Sequence, residues 1–178
     1  DRKKTEIPGY SLEEVIFESG RTWLCRGKRQ SDGQLVLIKG SVSEQSAKEL
    51  AEMRHEHEIT QALKIDGVLK SEELVACETG SVLILENTDK LPLRKLMDAA
   101  RFDLLDSMKL VVSLINILKE VHQQGFLHKM INPLNIFVDP ASGIIKLTGF
   151  GLANRLPQEN PTTLNPQLTG ETFPYISP

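Results

Sequence analysis

A few side chains in this sequence have the chemistry to act on a ligand. Lys39 closes the apolar run Leu35-Val36-Leu37-Ile38, so its ammonium ends a segment otherwise suited to burial. Glu56 lies in a stretch of helical character. His128 could serve as a proton acceptor, because an imidazole titrates near neutrality. Asn135 carries an amide oxygen that can accept, and Arg21, next to Gly20, carries a permanent cation that also reads as a solvated surface residue. Asp139 is an acid, but it opens Asp139-Pro140-Ala141-Ser142-Gly143, where aspartate is favoured for turn chemistry. Cys25 and Cys77 are far apart, form no metal-ligand pattern and read as two reduced thiols.

Those residues need elements to hold them. The first half reads mainly as β: short runs at 14–17 and 22–27, then 35–39 after the hairpin-turn signal Asp32-Gly33. Residues 46–63 have helical character, with Leu50, Met53, His57 and 59–63 near one stripe. Segments 74–78 and 81–86, joined at Thr79-Gly80, form an expected antiparallel pair. Beyond Glu86 the pattern turns helical, with a short helix at 93–97 and a long one at 102–124. In the long one Leu105, Met108, Val111, Val112, Leu114, Ile115, Leu118 and Val121 recur at steps of three and four. Its apolar residues run around more than half of its circumference, so some are expected to stay exposed. Asp103 or Asp106 could cap its start, and Gly125 stops it. Then follow 126–130, a loop through Asn132-Pro133, the strands 136–138 and 144–148 about the turn 139–143, and a loop-like tail from Asn154 rich in Pro, Asn, Thr and Gln.

Within this order the specific motifs appear. Leu127-His128-Lys129-Met130-Ile131-Asn132-Pro133-Leu134-Asn135-Ile136 resembles the catalytic loop of protein kinases, H-R-D-L-x-x-x-N. Thr148-Gly149-Phe150-Gly151-Leu152-Ala153 resembles their D-F-G motif with its Leu-Ala continuation, and Val36-Leu37-Ile38-Lys39 resembles V-A-I-K. Glu56 aligns with the helix glutamate that pairs with that lysine, and 170–178 resembles the end of an activation segment. The chain is therefore identified, by resemblance over about residues 10–178, as a eukaryotic-type serine/threonine protein-kinase-like domain. The Asn-Pro variant of the loop and the weak glycine loop are most similar to the N-terminal kinase-like domain of bacterial hybrid proteins. Those hybrids join a serine/threonine-kinase-like domain to an ATPase region and a sensor histidine kinase. The resemblance implies an α+β, two-lobe kinase fold, cut within its activation segment, with an N-terminal lobe at 1–88 and the first part of a helical lobe at 89–178.

It also implies where the chemistry has gone. A kinase uses the catalytic-loop Asp to accept the substrate proton and the D-F-G Asp to hold Mg²⁺ on the phosphates. Here those positions are Met130, which has no basic group, and Gly149, which has no side chain. No competent catalytic residue is expected, and His128 is implied to pack in the core beneath the loop. Aligning 18–25 to G-x-G-x-x-G-x-V leaves only Gly20, with Trp23 at a glycine position, where it would either hinder the phosphates or turn outward. The remaining nucleotide frame is Gly20, Lys39, Glu56, and the hinge-like Glu86 and Thr88, with Asn135 as a weak metal ligand. The implied reading is a pseudokinase that regulates or scaffolds, binding ATP weakly or not at all, with Mg²⁺ weakened. Its rivals are a slow serine/threonine kinase with an atypical metal arrangement, and a docking domain whose pocket is filled by Trp23 or Met130.

Composition sets the outer bounds. The 178 residues carry a net charge of -3 from 21 basic and 24 acidic side chains, well mixed, which points away from nucleic acid as a partner. No apolar stretch is long enough to span a bilayer, and a reducing, cytoplasmic setting is expected. The first residue is Asp1 and the last Pro178, so the sequence reads as part of a longer chain whose other domains, with protein partners, are its expected contacts.

Overall fold

The computed structural model of the chain describes residues 6–78, 80–99 and 103–156. Its first half is a five-stranded antiparallel sheet with the order β1-β2-β3-β5-β4. The strands are β1 (Tyr10–Glu18), β2 (Thr22–Arg29), β3 (Leu35–Ser41), β4 (Ser71–Cys77) and β5 (Gly80–Glu86), with helix α1 (Ala47–Ala62) between β3 and β4. The β2–β3 turn is the one the Asp32-Gly33 pair predicts. Gly33 takes φ 74°, and the Asp32 carboxylate accepts the N–H of Gln34.

β3 and β5 are continuous apolar runs because both of their faces are covered. Val36, Ile38, Val82 and Ile84 point to the outer face, packed with Ile7, Tyr10, Trp23 and Cys25. Leu37, Leu83 and Leu85 point the other way, packed with Ile16, Leu24, Leu69 and Phe137. β1 is longer than the expected 14–17. It is an edge strand with two bulges, and residues 11–15 are exposed on both of its faces, so no apolar alternation marks it in the sequence.

Helix α1 starts at a capping box. The Ser46 hydroxyl accepts the Glu49 N–H, and the Glu49 carboxylate accepts the Ser46 N–H. Two polar side chains on its inward stripe, Glu56 and Thr60, are buried more deeply than the apolar Ile59. After β5 come β6 (Leu91–Pro92), α2 (Leu93–Asp98) and α3 (Leu104–Gln123). The Asp103 carboxylate caps α3 by accepting the Asp106 N–H, and Gly125 at φ 82° ends the turn beyond it. Within 126–130 only β7 (Phe126–Leu127) is strand, and it pairs with β10 (Asn154–Arg155). β8 (Ile136–Val138) and β9 (Ile145–Leu147) form a hairpin with β6 alongside.

α3 presents Leu110, Ile117 and Val121 to the core, with Leu114 and Leu118 packed against it. Leu104, Leu105, Met108, Val111, Val112 and Ile115 are exposed among the described residues. The two halves meet through Leu69, whose N–H donates to the Leu147 carbonyl, and through Phe137, which is fully packed against the sheet. Among the described residues no helix is long and apolar enough to cross a membrane.

Candidate active site

The site is built around one buried carboxylate. β3 carries Lys39 on the same face as Leu37, and α1 carries Glu56 toward it. Lys39 Nζ donates to Glu56 Oε2 at 2.8 Å. The other oxygen, Oε1, accepts the Thr148 hydroxyl at 3.0 Å and the Gly149 N–H at 2.7 Å. Burial opposes ionisation of Glu56. The Lys39 ammonium and these donors outweigh it and hold the carboxyl below its ordinary range. The group is thus a fixed anion that ties sheet, helix and the 148–152 segment together. Phe150, in the short 3₁₀ turn Phe150–Leu152, is fully buried beneath α1 and meets the His128 ring edge-on at 4.3 Å.

His128 is held from both ring nitrogens. Nδ1 faces the Met130 N–H at 3.1 Å and must accept it, so the ring proton is on Nε2 and donates to the Thr148 carbonyl at 2.9 Å. Burial pushes its pKa below the ordinary value. A neutral imidazole with both nitrogens engaged is a brace for the loop and has no free lone pair to take a proton. The next residue, Lys129, takes φ 62°, which turns the loop so that Met130 lines the cleft. Asn135 Nδ2 donates to the Met130 carbonyl at 2.9 Å. Asp139 lies in the exposed β8–β9 turn, where it accepts from Ala141 N–H and the Ser142 hydroxyl; those bonds lower its pKa. It is a turn residue and no substitute for the missing acid.

The glycine loop lies one residue away from the position its sequence suggests. Strand register pairs Trp23 with Gly40 and Leu24 with Lys39. Leu24 therefore faces the cleft, while Trp23 and Cys25 face the outer core. The Trp23 indole lies over Gly40, where a Cβ would come within 2.3 Å of its ring, and its N–H donates to the Ser41 carbonyl. Trp23 turns away from the cleft and does not fill it. With Leu24 at the motif's last apolar position, the three glycine positions fall on Phe17, Ser19 and Thr22, and none is glycine. Placing Cys25 at that position is one residue out of register, because alternating side chains swap faces with a one-residue slip. Gly20 sits at the tip of the β1–β2 turn and does not line the cleft.

The cleft itself is about 270 Å³, between Leu24, Lys39, Leu85, Met130, Phe137 and Gly149. Neither Glu86 nor Thr88 lines it. The Glu86 carboxylate pairs with Lys146 of β9, and its N–H donates to the Lys70 carbonyl. The Thr88 carbonyl accepts Arg26 Nη1 at 3.4 Å. Sequence reasoning missed Thr148 as a Glu56 partner and the acids Glu49 and Glu52 on the cleft wall. A periodicity argument cannot see them, since each is simply a polar residue on a helix or next to a glycine.

The protein kinase domain family model matches residues 18–178. The chain belongs to the protein kinase domain family. This kinase domain is 23% identical over 180 residues to CBL-interacting protein kinase 9 of Oryza sativa subsp. japonica, covering 99% of the chain and 39% of that protein. It is 29% identical over 130 residues to NUAK family SNF1-like kinase 2 of Rattus norvegicus, covering 71% of the chain and 20% of that protein. It is 27% identical over 113 residues to the probable serine/threonine-protein kinase PknB of Bifidobacterium longum, covering 60% of the chain and 16% of that protein. The chain thus spans well under half the length of the curated relatives it matches.

Kinase domains in general use ATP with Mg²⁺, and the residues present here do not fit the metal. Mg²⁺ needs carboxylate or similar oxygens in near-octahedral array. Gly149 supplies none, and its φ of 84° places a hypothetical Cβ 2.3 Å from Asn135 Cγ. The Asn135 amide packs into the space a D-F-G side chain would need. Among the described residues no group of three or more His, Cys, Asp or Glu is placed to hold a metal ion.

Proposed function

We propose that this kinase domain is a pseudokinase: a regulatory or scaffolding module in a multidomain signalling protein. The observation that carries the reading is the pair Met130 and Gly149, both at the cleft, where transfer needs a proton acceptor and a metal anchor. The Asn-Pro loop supports placing it with the kinase-like domains of bacterial hybrid signalling proteins, in a cytoplasmic setting with protein partners and no nucleic acid. The lobe boundary we propose lies between Thr88 and Asp89. Lys39, Glu56 and Asn135 make up what remains of the nucleotide frame at the cleft, and the hinge-like Glu86 and Thr88 do not line it. Gly20 stands apart at its turn.

One observation favours a second reading. The Lys39–Glu56 pair is assembled, as phosphoryl transfer requires, which suits a slow serine/threonine kinase. Radiolabelled phosphate transfer from ATP with Mg²⁺ or Mn²⁺ separates the two, comparing the native chain with Lys39→Ala. No transfer is expected from either. Transfer by the native chain that disappears in the Lys39 variant would establish the slow kinase instead.

A further inference from the structure

We infer that the cleft of this domain takes an uncharged planar heterocycle, a nucleoside or free base, without divalent metal, and discriminates against nucleoside triphosphates. The inference deepens the pseudokinase reading and rests on it.

The first ground is the β1–β2 turn. A phosphate cradle works because backbone N–H groups of the loop point at the anion with nothing else to bond. Here the Ser19 hydroxyl oxygen faces the Thr22 N–H at 3.1 Å and the Arg21 N–H at 3.4 Å, and Ser19 N–H donates to the Thr22 carbonyl. The turn has turned its donors inward on a serine side chain. A phosphate would have to displace those bonds.

The second ground is charge. The cleft wall carries Glu49, Glu52 and Glu56 against Lys39 and Arg21. Lys39 is already matched by Glu56 and Glu52 by Lys48 at 3.8 Å, and Arg21 is exposed at the mouth. That leaves Glu49 against Arg21, and the wall has no surplus of positive charge. With no metal anchor to neutralise it, a triphosphate would meet a site with no spare cation to balance its charge.

The third ground is size and lining. About 270 Å³ is near the lower end of the ~300–1,000 Å³ typical of small-molecule sites. Its inner wall, Leu24, Leu85, Pro92, Met130, Leu134 and Phe137, is apolar and suited to the faces of a flat ring. Space and surface match the base end of a nucleotide and not its charged tail.

The experiment is a melting series on the full chain with adenosine, ATP, or ATP plus MgCl₂ as probes. Adenosine is expected to raise the melting temperature, ATP to raise it less or not at all, and Mg²⁺ to add nothing. Met130→Trp, at an exposed loop position on the cleft wall, is expected to lose the adenosine shift. Ser19→Ala, which releases the Arg21 and Thr22 N–H groups, and separately Glu52→Gln, are expected to increase the response to ATP relative to adenosine. A larger shift with ATP than adenosine, a gain on adding Mg²⁺, an adenosine shift that survives Met130→Trp, or no shift with any probe would each overturn the inference. The phosphotransfer assay is read independently. A chain that neither binds adenosine nor transfers phosphate loses this inference and keeps the pseudokinase reading, whereas transfer removes that reading itself.

Discussion

Two faces of the same cleft differ in kind. The inner corner of Lys39, Glu56, Thr148 and Gly149 N–H is bonded throughout and buried except for the half-buried Lys39, with the geometry an active kinase needs. The outer rim, made of the β1–β2 turn and the catalytic loop, keeps the backbone path but has replaced the catalytic acid and all three glycine positions, leaving Asn135, whose amide is bonded to the Met130 carbonyl. The difference is between positions whose side chains hold elements together and positions whose side chains only do chemistry. Glu56 belongs to the first set: a buried carboxylate without its partners would be costly, so the pair and its donors act as a structural joint. Met130 and Gly149 belong to the second, and the fold closes around their substitutes. Among the described residues no buried side-chain polar atom lacks a partner.

The comparison breaks most visibly in catalysis. If the rim is chemically empty, Met130→Asp alone and Gly149→Asp alone will both leave Mg²⁺-dependent transfer at background, because acceptor and anchor act as a unit. Rescue by one carboxylate, seen in the radiolabel assay, would show that the rim retains a working half. The joint makes the next largest prediction. Glu56→Ala leaves Lys39, the Thr148 hydroxyl and the Gly149 N–H unpaired, and is expected to cost about 3–5 kcal/mol in a denaturant titration. A loss below about 1 kcal/mol, the scale of an exposed ion pair, would demote the corner to a surface feature.

Smaller effects sharpen the same contrast. Gly149→Ala should cost about 1–3 kcal/mol, through positive φ and the contact with Asn135. Gly40→Ala should cost a similar roughly 1–3 kcal/mol by forcing the Trp23 ring aside. Gly20→Ala has open space and no positive φ, so its denaturant midpoint should move by no more than about 0.5 kcal/mol in free-energy terms. These three glycines give a direct test, since only two of them carry a structural demand.

Acid should loosen the joint with a defined sign. His128 is held neutral, with its pKa lowered from the ordinary 6.5, so its share of stability is complete above that value. That share falls as pH drops toward the depressed folded value, because the unfolded chain takes up the proton first. Glu56 is also depressed, so its share is lost further down, as pH falls below the ordinary carboxylate range through its folded value. Urea midpoints measured from pH 7 downward should decline in that order. His128→Asn should flatten the upper part of the decline and Glu56→Gln the lower part.

Much of this molecule was readable from its sequence. The Ser46…Glu49 capping box, the Asp32-Gly33 turn, the Asp103 cap and the apolar runs of β3 and β5 announce themselves, because each is a local preference with a short-range cause. The motif order named the fold, and Lys39 and Glu56 could be paired by motif alone. The identity of residues 130 and 149 decided, without coordinates, that both carboxylates are absent. The tail from residue 157, including the activation-segment resemblance at 170–178, lies outside the described residues. What the tertiary structure decided is everything that depends on which way a side chain points. It showed that Trp23 belongs to the outer core and Leu24 to the cleft, since strand register between β2 and β3 is set by long-range pairing and a one-residue slip reverses every face. It showed that Asn135 packs into the space a Gly149 side chain would need, and that Ser19 binds the turn's own N–H groups. Such contacts join residues distant in the chain, or depend on rotamers that only the packed neighbours select. No periodicity or spacing in the sequence contains them.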